Sequence, residues 1–245
     1  MGLHLCYELS LPAEAPEGDV AARVAALRER AAALPFDRVS EAVRLTEHAL
    51  SGPSPLRGLA YDRLEDVAHV SAEWARTELY RRLLGIPEDD EYTRVEVPPE
   101  MPTVAHAFAV APGRGCEPAT FGLAQLSGPG HGSSRWSSWW WHRCCKTQYA
   151  SVLGDEHLLR CHGSLVALLD AAAELGLQVV VRDETGYWES RDPRQLAESV
   201  AEMNRVVARI AGKVTDTVRD AGGDGRQVRG AIFEHPDFER LETGE

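Results

Sequence analysis

Cys144 and Cys145 stand side by side in a segment that also holds His142 and Lys146. A thiolate is the attacking form of cysteine, and a neighbouring imidazole or ammonium group stabilises it. On a strand, alternate residues face opposite sides, so His142 shares a face with Cys144 while Cys145 points away. The two thiols therefore cannot work as a Cys-x-x-Cys pair does, and they cannot easily share a metal. Either one alone is a candidate nucleophile, with His142 or His157 as its base. Further along, Asp183 and Glu184 supply a candidate acid or orienting carboxylate. Lys146, Gln148, Tyr149, Arg182, Tyr187 and Trp188 are the candidate ligand-binding groups around them.

Each of these residues also has a plain structural role. A cysteine on a strand is commonly a small buried hydrophobe. Asp183-Glu184-Thr185-Gly186 is turn-forming by composition, and Asp155 suits a helix cap. Tyr187 and Trp188 suit a core or its rim. His157 and Cys161, four apart, share a helix face and make half of a zinc site, which Cys116, Glu117 or His131 would have to complete from loops. No spacing matches a known ligand motif, so no metal is expected and no cofactor is indicated. His162 falls on an apolar stripe and is expected to be a hydrogen-bonded core histidine. Trp136, Trp139, Trp140 and Trp141 make either a doubly buried central strand or an exposed aromatic platform.

What could bring the candidates together is a βαβ unit. The pattern predicts a strand over 135–149, a helix over 155–175 and a strand over 177–182. Parallel strands joined in this way end on one edge, where ligands favour α/β layers. That edge would gather Lys146 to Ser151 from the first strand and Arg182 to Trp188 from the second. The helix N-terminus at Asp155 would add free N–H groups.

The remaining elements frame this unit. Residues 2–11 alternate as a strand, with Leu3, Leu5 and Tyr7 on one face and His4, Cys6 and Glu8 on the other. A helix from Asp19 carries Val20, Val24, Leu27 and Leu34, and further helices are predicted over 38–50 and 62–84. Thr103 to Val110 and Ala119 to Leu126 read as strands separated by the loop Pro112 to Pro118. Asp192-Pro193 opens a long helix, and Gln227 to Phe233 suggests a last strand. This order predicts an α+β fold, with a mixed, largely antiparallel sheet covered by helices. A ferredoxin-like core with extra N-terminal helices fits it best. One domain is expected over 1–245, with a helical portion at about 12–90, a strand-rich region bearing the site at about 103–191, and a closing helix and strand over 192–235.

Composition limits the function. The chain has 26 Lys and Arg against 38 Asp and Glu, a formal charge of −12, which disfavours nucleic acid and anionic membrane as partners. There is no long apolar run, no secretory leader pattern, and an odd set of five cysteines, so a cytoplasmic protein with free thiols is expected. The phosphate-loop, dinucleotide, nucleophile-elbow and zinc-protease motifs are absent. Two functions follow. The first is an interaction or immunity-type protein binding an unknown protein or small-molecule ligand. The second is an enzyme with a Cys/His/carboxylate site at the ends of strands 135–149 and 177–182.

Overall fold

The computed structural model describes residues 3–12, 14–46, 104–126, 138–222 and 230–244. Strand β1 (Leu5–Pro12) is followed by helix α1 (Glu17–Ala32), then β2 (Arg38–Val39), β3 (Val43–Thr46), β4 (Val104–Ala111), β5 (Ala119–Leu126) and β6 (Ser138–Cys145). A 3-10 turn (Gln148–Leu153) leads into α2 (Asp155–Glu174) and β7 (Gln178–Asp183). The short α3 (Tyr187–Ser190), the long α4 (Pro193–Asp220), a 3-10 turn (Ala231–Glu234) and α5 (Phe238–Thr243) complete the described chain.

Among the described residues the seven strands form one antiparallel sheet in the order β2-β4-β5-β6-β1-β7, with β3 also pairing β4. The fold is α+β, as the sequence predicts. β1 lies between β6 and β7 and is antiparallel to both, so β6 and β7 run parallel to each other with α2 as their crossover. Leu5 stands opposite both Cys145 and Asp183, which puts the C-terminal ends of β6 and β7 at one edge, on either side of the start of β1. The strand order β7-β1-β6-β5, with α1 and α2 between strands, has the split βαβ arrangement of the ferredoxin-like core. β2, β3 and β4 extend it.

The alternation of β1 decides which face is covered. Leu5, Tyr7, Leu9 and Leu11 are buried in one cluster with Val20, Val24 and Leu27 of α1 and Leu165, Leu168 and Leu169 of α2. Trp139 and Trp141 lie in the same cluster, each at most 1% exposed, so one face of β6 is core, while Trp140 on the other face is half-buried. Trp136 lies outside the described residues. The opposite face of β4, carrying Ala105, Ala107 and Ala109, is buried too.

β5 and β6 pair at Ala124–Leu126 and then part, so the Thr120 carbonyl has no ladder partner on that side. The Tyr7 hydroxyl (2.7 Å) and the Trp141 indole N–H (2.9 Å) donate to it instead. The strands meet again at Glu117 and Lys146.

Two predicted elements differ where the structure describes them, and a third falls outside it. Residues 38–46 form β2 and β3 rather than the start of a helix: Val39 pairs Val110 and Leu45 pairs Ala105, so an available sheet edge outweighs an ambiguous apolar spacing. The predicted helix over 62–84 lies outside the described residues. The expected last strand is the 3-10 turn Ala231–Glu234 where it is described, with Ile232 packed on Ala208 and Leu241. Asp155 opens α2 from inside its first turn and makes no side-chain cap, because Gly154 holds the cap position.

Candidate functional site

Two clusters occupy the edge where β6 and β7 end. The first is a closed polar chain. Thr147, just past β6, meets His162 of α2 (Oγ1 to Nδ1, 2.8 Å), and His162 meets Asp183 at the end of β7 (Nε2 to Oδ2, 3.0 Å). The His162 and Asp183 side chains are 1% and 0% exposed. The Asp183 carboxylate accepts three more hydrogen bonds, from the Thr185 N–H (2.9 Å), the Thr185 hydroxyl (2.7 Å) and the Trp188 N–H (2.9 Å). Burial alone would raise the Asp183 carboxyl. The His162 and Thr185 donors outweigh burial, and the net shift is downward. The Tyr187 ring closes the chain edge-on, 5.6 Å from the imidazole. With its lone pairs engaged and its surroundings closed, Asp183 ties the ends of β6 and β7 to α2.

The second cluster holds free thiols. The loop between β4 and β5 folds onto α2: the Cys161 thiol donates to the Pro112 carbonyl (3.3 Å), and His157 Nε2 lies 2.9 Å from the Arg114 carbonyl. Cys161 Sγ is 3.6 Å from His157 Nε2, and Cys116 packs against the cluster that holds Cys161. Arg160 Nη2 reaches both His157 Nδ1 (3.3 Å) and Asp37 (3.3 Å). With Arg160 donating to Nδ1, Nε2 carries the imidazole proton and faces the loop and the sulfur. The hydrogen bond from Cys116 brings the Cys161 thiol down to about 7 against the opposing effect of burial, with His157 and Arg160 assisting. Cys116 moves the other way, held protonated as the donor. Packing is close: a Cβ on Gly113 would lie 2.6 Å from Cys161 Sγ, and Gly115, at φ +82°, sits against the Tyr149 carbonyl. Cys161 is fully buried, whereas Cys116 is partly exposed.

The predicted residues distribute as follows. Cys144 shares the outer face with His142 (3.9 Å), as its spacing implies, but it is joined to Cys6 in a disulfide across β1 and β6 and has no free thiol. The expectation of five free thiols is corrected accordingly: Cys116, Cys145 and Cys161 are free. Burial pushes the Cys145 thiol up to about 12, and it donates to the Glu117 carbonyl (3.2 Å). Burial pushes His142 down to about 4. His157 is in a thiol site, beside Cys161 rather than Cys144. Asp183 and Glu184 part company: Asp183 faces inward, while Glu184 faces out and accepts from the His4 N–H (2.7 Å). Arg182 is exposed on that outer face. Lys146 is tied through its backbone N–H to Glu117 (3.1 Å). Gln148 is buried, with its amide bonded to the Leu3 N–H and to Asn204. Tyr149 packs in the separate cluster of Ala208, Ile232 and Leu241. The Trp188 ring lies under Arg191, which is paired with Asp170.

Among the described residues, no group of three or more His, Cys, Asp or Glu converges to hold a metal. None of the described helices is long and apolar enough to cross a membrane. No protein-family model matches the chain. No curated protein and no solved structure matches it either.

The Cys116–Cys161 pair escapes a sequence reading because it joins a loop residue to a helix residue 45 positions away. The i, i+4 spacing of His157 and Cys161 was a usable signal, and it points to a thiol–imidazole contact as well as to a metal pair.

Proposed function

We propose that this chain is a thiol-dependent enzyme whose reacting atom is Cys161 Sγ. The supporting observation is the contact of that sulfur with His157 Nε2 at 3.6 Å, with the partly exposed Cys116 packed in the same cluster, at the edge where β6 and β7 end. Cys161 is the nucleophile. His157 and Arg160 place positive potential beside its thiolate, and Cys116 stabilises that thiolate by hydrogen bonding. The carboxylate of the predicted Cys/His/carboxylate set acts at a distance, since Asp183 holds His162 on the same helix. Iodoacetamide labelling between pH 5 and 9, with peptide mapping, tests the reading. Cys161 should react with a midpoint below the ordinary thiol value of about 8.5, and His157→Phe should raise that midpoint. A Cys161 no more reactive than Cys145 overturns it.

A second reading, partner binding without catalysis, is favoured by one observation. Val206, Ile210 and Val214 lie on one stripe of α4 and are 41%, 40% and 43% exposed. A monomer in sedimentation that remains a monomer when Ile210→Glu is introduced, and that captures no helical peptide, removes this reading. The acidic balance supports a partner other than nucleic acid. The cytoplasmic reading rests on the three free thiols, and the Cys6–Cys144 bridge bears against it. Acid-quenched thiol counting in cells decides: five free thiols support the cytoplasm, and three place the bridge in the living cell.

A further inference from the structure

Cys161 has a neighbour suited to finish a two-electron oxidation. We infer that Cys116 and Cys161 cycle between dithiol and disulfide, with a small hydroperoxide as oxidant and an external dithiol as reductant. This rests on the reading of Cys161 as the reacting thiolate and names its substrate class.

Three observations support it. The two thiols share one packed cluster: Cys116 packs against the group that holds Cys161, and its N–H donates to the carbonyl of Gly113 (3.2 Å), the residue whose Cβ position lies 2.6 Å from Cys161 Sγ. Their accessibility is unequal: Cys161 is enclosed by Gly113, Pro112 and Cys116, while Cys116 is partly exposed. Cys161 has no exposed surface, so any reagent needs the loop over it to shift, and a hydroperoxide, scarcely larger than water, needs the smallest shift. The loop is also held where its movement matters. The contacts from Cys161 to the Pro112 carbonyl and from His157 to the Arg114 carbonyl fasten Pro112–Cys116, whereas Glu117 is bonded separately to Lys146. Lifting Pro112–Arg114, with Cys116 kept in place by the neighbouring Glu117, removes a carbonyl that opposes a thiolate and opens the sulfur in the same motion.

The chemistry balances. The Cys161 thiolate attacks one peroxide oxygen; the S–O bond forms, the O–O bond breaks, and an alkoxide leaves. The alkoxide takes the Cys116 thiol proton and departs as the alcohol, or as water when the oxidant is hydrogen peroxide. The Cys116 thiolate then attacks the Cys161 sulfenic sulfur, forming the disulfide and expelling hydroxide, which solvent protonates. The two thiols lose two electrons and the peroxide gains them. In the return step, a thiolate of the external dithiol attacks the exposed Cys116 sulfur. Cys161 leaves, and it is the better leaving group because its neighbours stabilise its thiolate. The second thiol of the reductant then releases Cys116.

The test uses the full reduced chain, one equivalent of hydrogen peroxide, and peptide mapping without reductant. A Cys116–Cys161 cross-link is expected in the wild type. In Cys116→Ser the expected product is a Cys161 sulfenic acid trapped by dimedone, and in Cys161→Ser the cross-link and the trapped product are both lost. Circular dichroism on both variants confirms that each is folded. If no Cys116–Cys161 link forms while Cys161 still alkylates at low pH, the inference fails and the thiol reading stands. A link from Cys161 to Cys145 fails it in the same way. If Cys161 neither alkylates nor oxidises, both fail.

Discussion

Replacing Asp183 by asparagine tests whether the buried chain from Thr147 to Trp188 holds the edge together. The carboxylate accepts four hydrogen bonds: two on Oδ1 from Thr185 and two on Oδ2 from His162 and the Trp188 N–H. Asparagine keeps one oxygen and offers an NH2 group at the other position. His162 can adapt by exchanging its tautomer and accepting from that NH2. The Trp188 N–H cannot, because it donates and now faces a donor. An orphaned buried donor costs about 1–3 kcal/mol, and changing a charged acceptor for a neutral one costs about 1 kcal/mol more. The expected loss is about 3 kcal/mol, a large part of the roughly 5–15 kcal/mol that holds a typical domain together. Urea unfolding at pH 7, followed by circular dichroism, measures it. Thr147→Val leaves His162 Nδ1 without its neutral partner and should cost about 1–2 kcal/mol, less than the loss of the charged acceptor. The pH dependence follows from the lowered Asp183 carboxyl: its contribution is complete above the ordinary carboxylate range and is lost as pH falls through the folded-state value. The variant should lack that part of the acid limb. A loss below about 1 kcal/mol for Asp183→Asn, or a larger loss for Thr147→Val, would refute the reasoning.

Three further outcomes are expected. Removing the Cys6–Cys144 bridge with a Cys6→Ala, Cys144→Ala double substitution should lower stability by up to about 5 kcal/mol, the chain-entropy value for its separation of 138 residues; an unchanged urea midpoint would contradict this. Gly113→Ala would force a methyl to 2.6 Å from Cys161 Sγ and 2.7 Å from Arg160 Nη2, so the loop should be displaced, stability should fall by about 1–3 kcal/mol, and Cys161 should alkylate faster. Glu17 is held down to about 2 by Arg44 and then His106, so its stabilising effect is complete above the ordinary glutamate value and fades as pH drops toward 2; Glu17→Gln should flatten acid unfolding in that window, read as the midpoint pH.

The sequence carried most of the architecture because most elements have only one way to bury their apolar residues. The stripe Leu158, His162, Leu165, Leu169 and Ala172 is buried throughout, and Asp192 caps α4 by accepting from the Arg194 N–H (2.9 Å). His162 is the hydrogen-bonded core histidine its position implies. Residues 38–46 were ambiguous, since Val39, Val43 and Leu45 suit either period, and the free edge of β4 decided between them. The site was legible in part. The ends of β6 and β7 lie side by side as the pattern predicts, but which cysteines are free near them depends on two contacts that spacing does not encode. One is the pairing of β1 with β6, which sets Cys6 opposite Cys144 and ties up that thiol. The other is the folding of Pro112–Pro118 onto α2, which brings Cys116 into the cluster that holds Cys161.

The central place of β1 has a consequence for synthesis. Leu5 leaves the ribosome before its neighbours in the sheet, Cys145 and Asp183, which follow about 140 and about 180 residues later. At about 5–20 residues per second, β1 waits on the order of ten to forty seconds for both partners. Throughout that interval Leu5, Tyr7, Leu9 and Leu11 form an apolar strand without a sheet, a target for chaperones and for other nascent chains. A chain stopped before Asp183 leaves β1 as an open edge. Completion therefore runs backward, with the last strand of the sheet sealing the first, and a ribosome pause shortly after β6 would lengthen the most vulnerable stage of this protein's life.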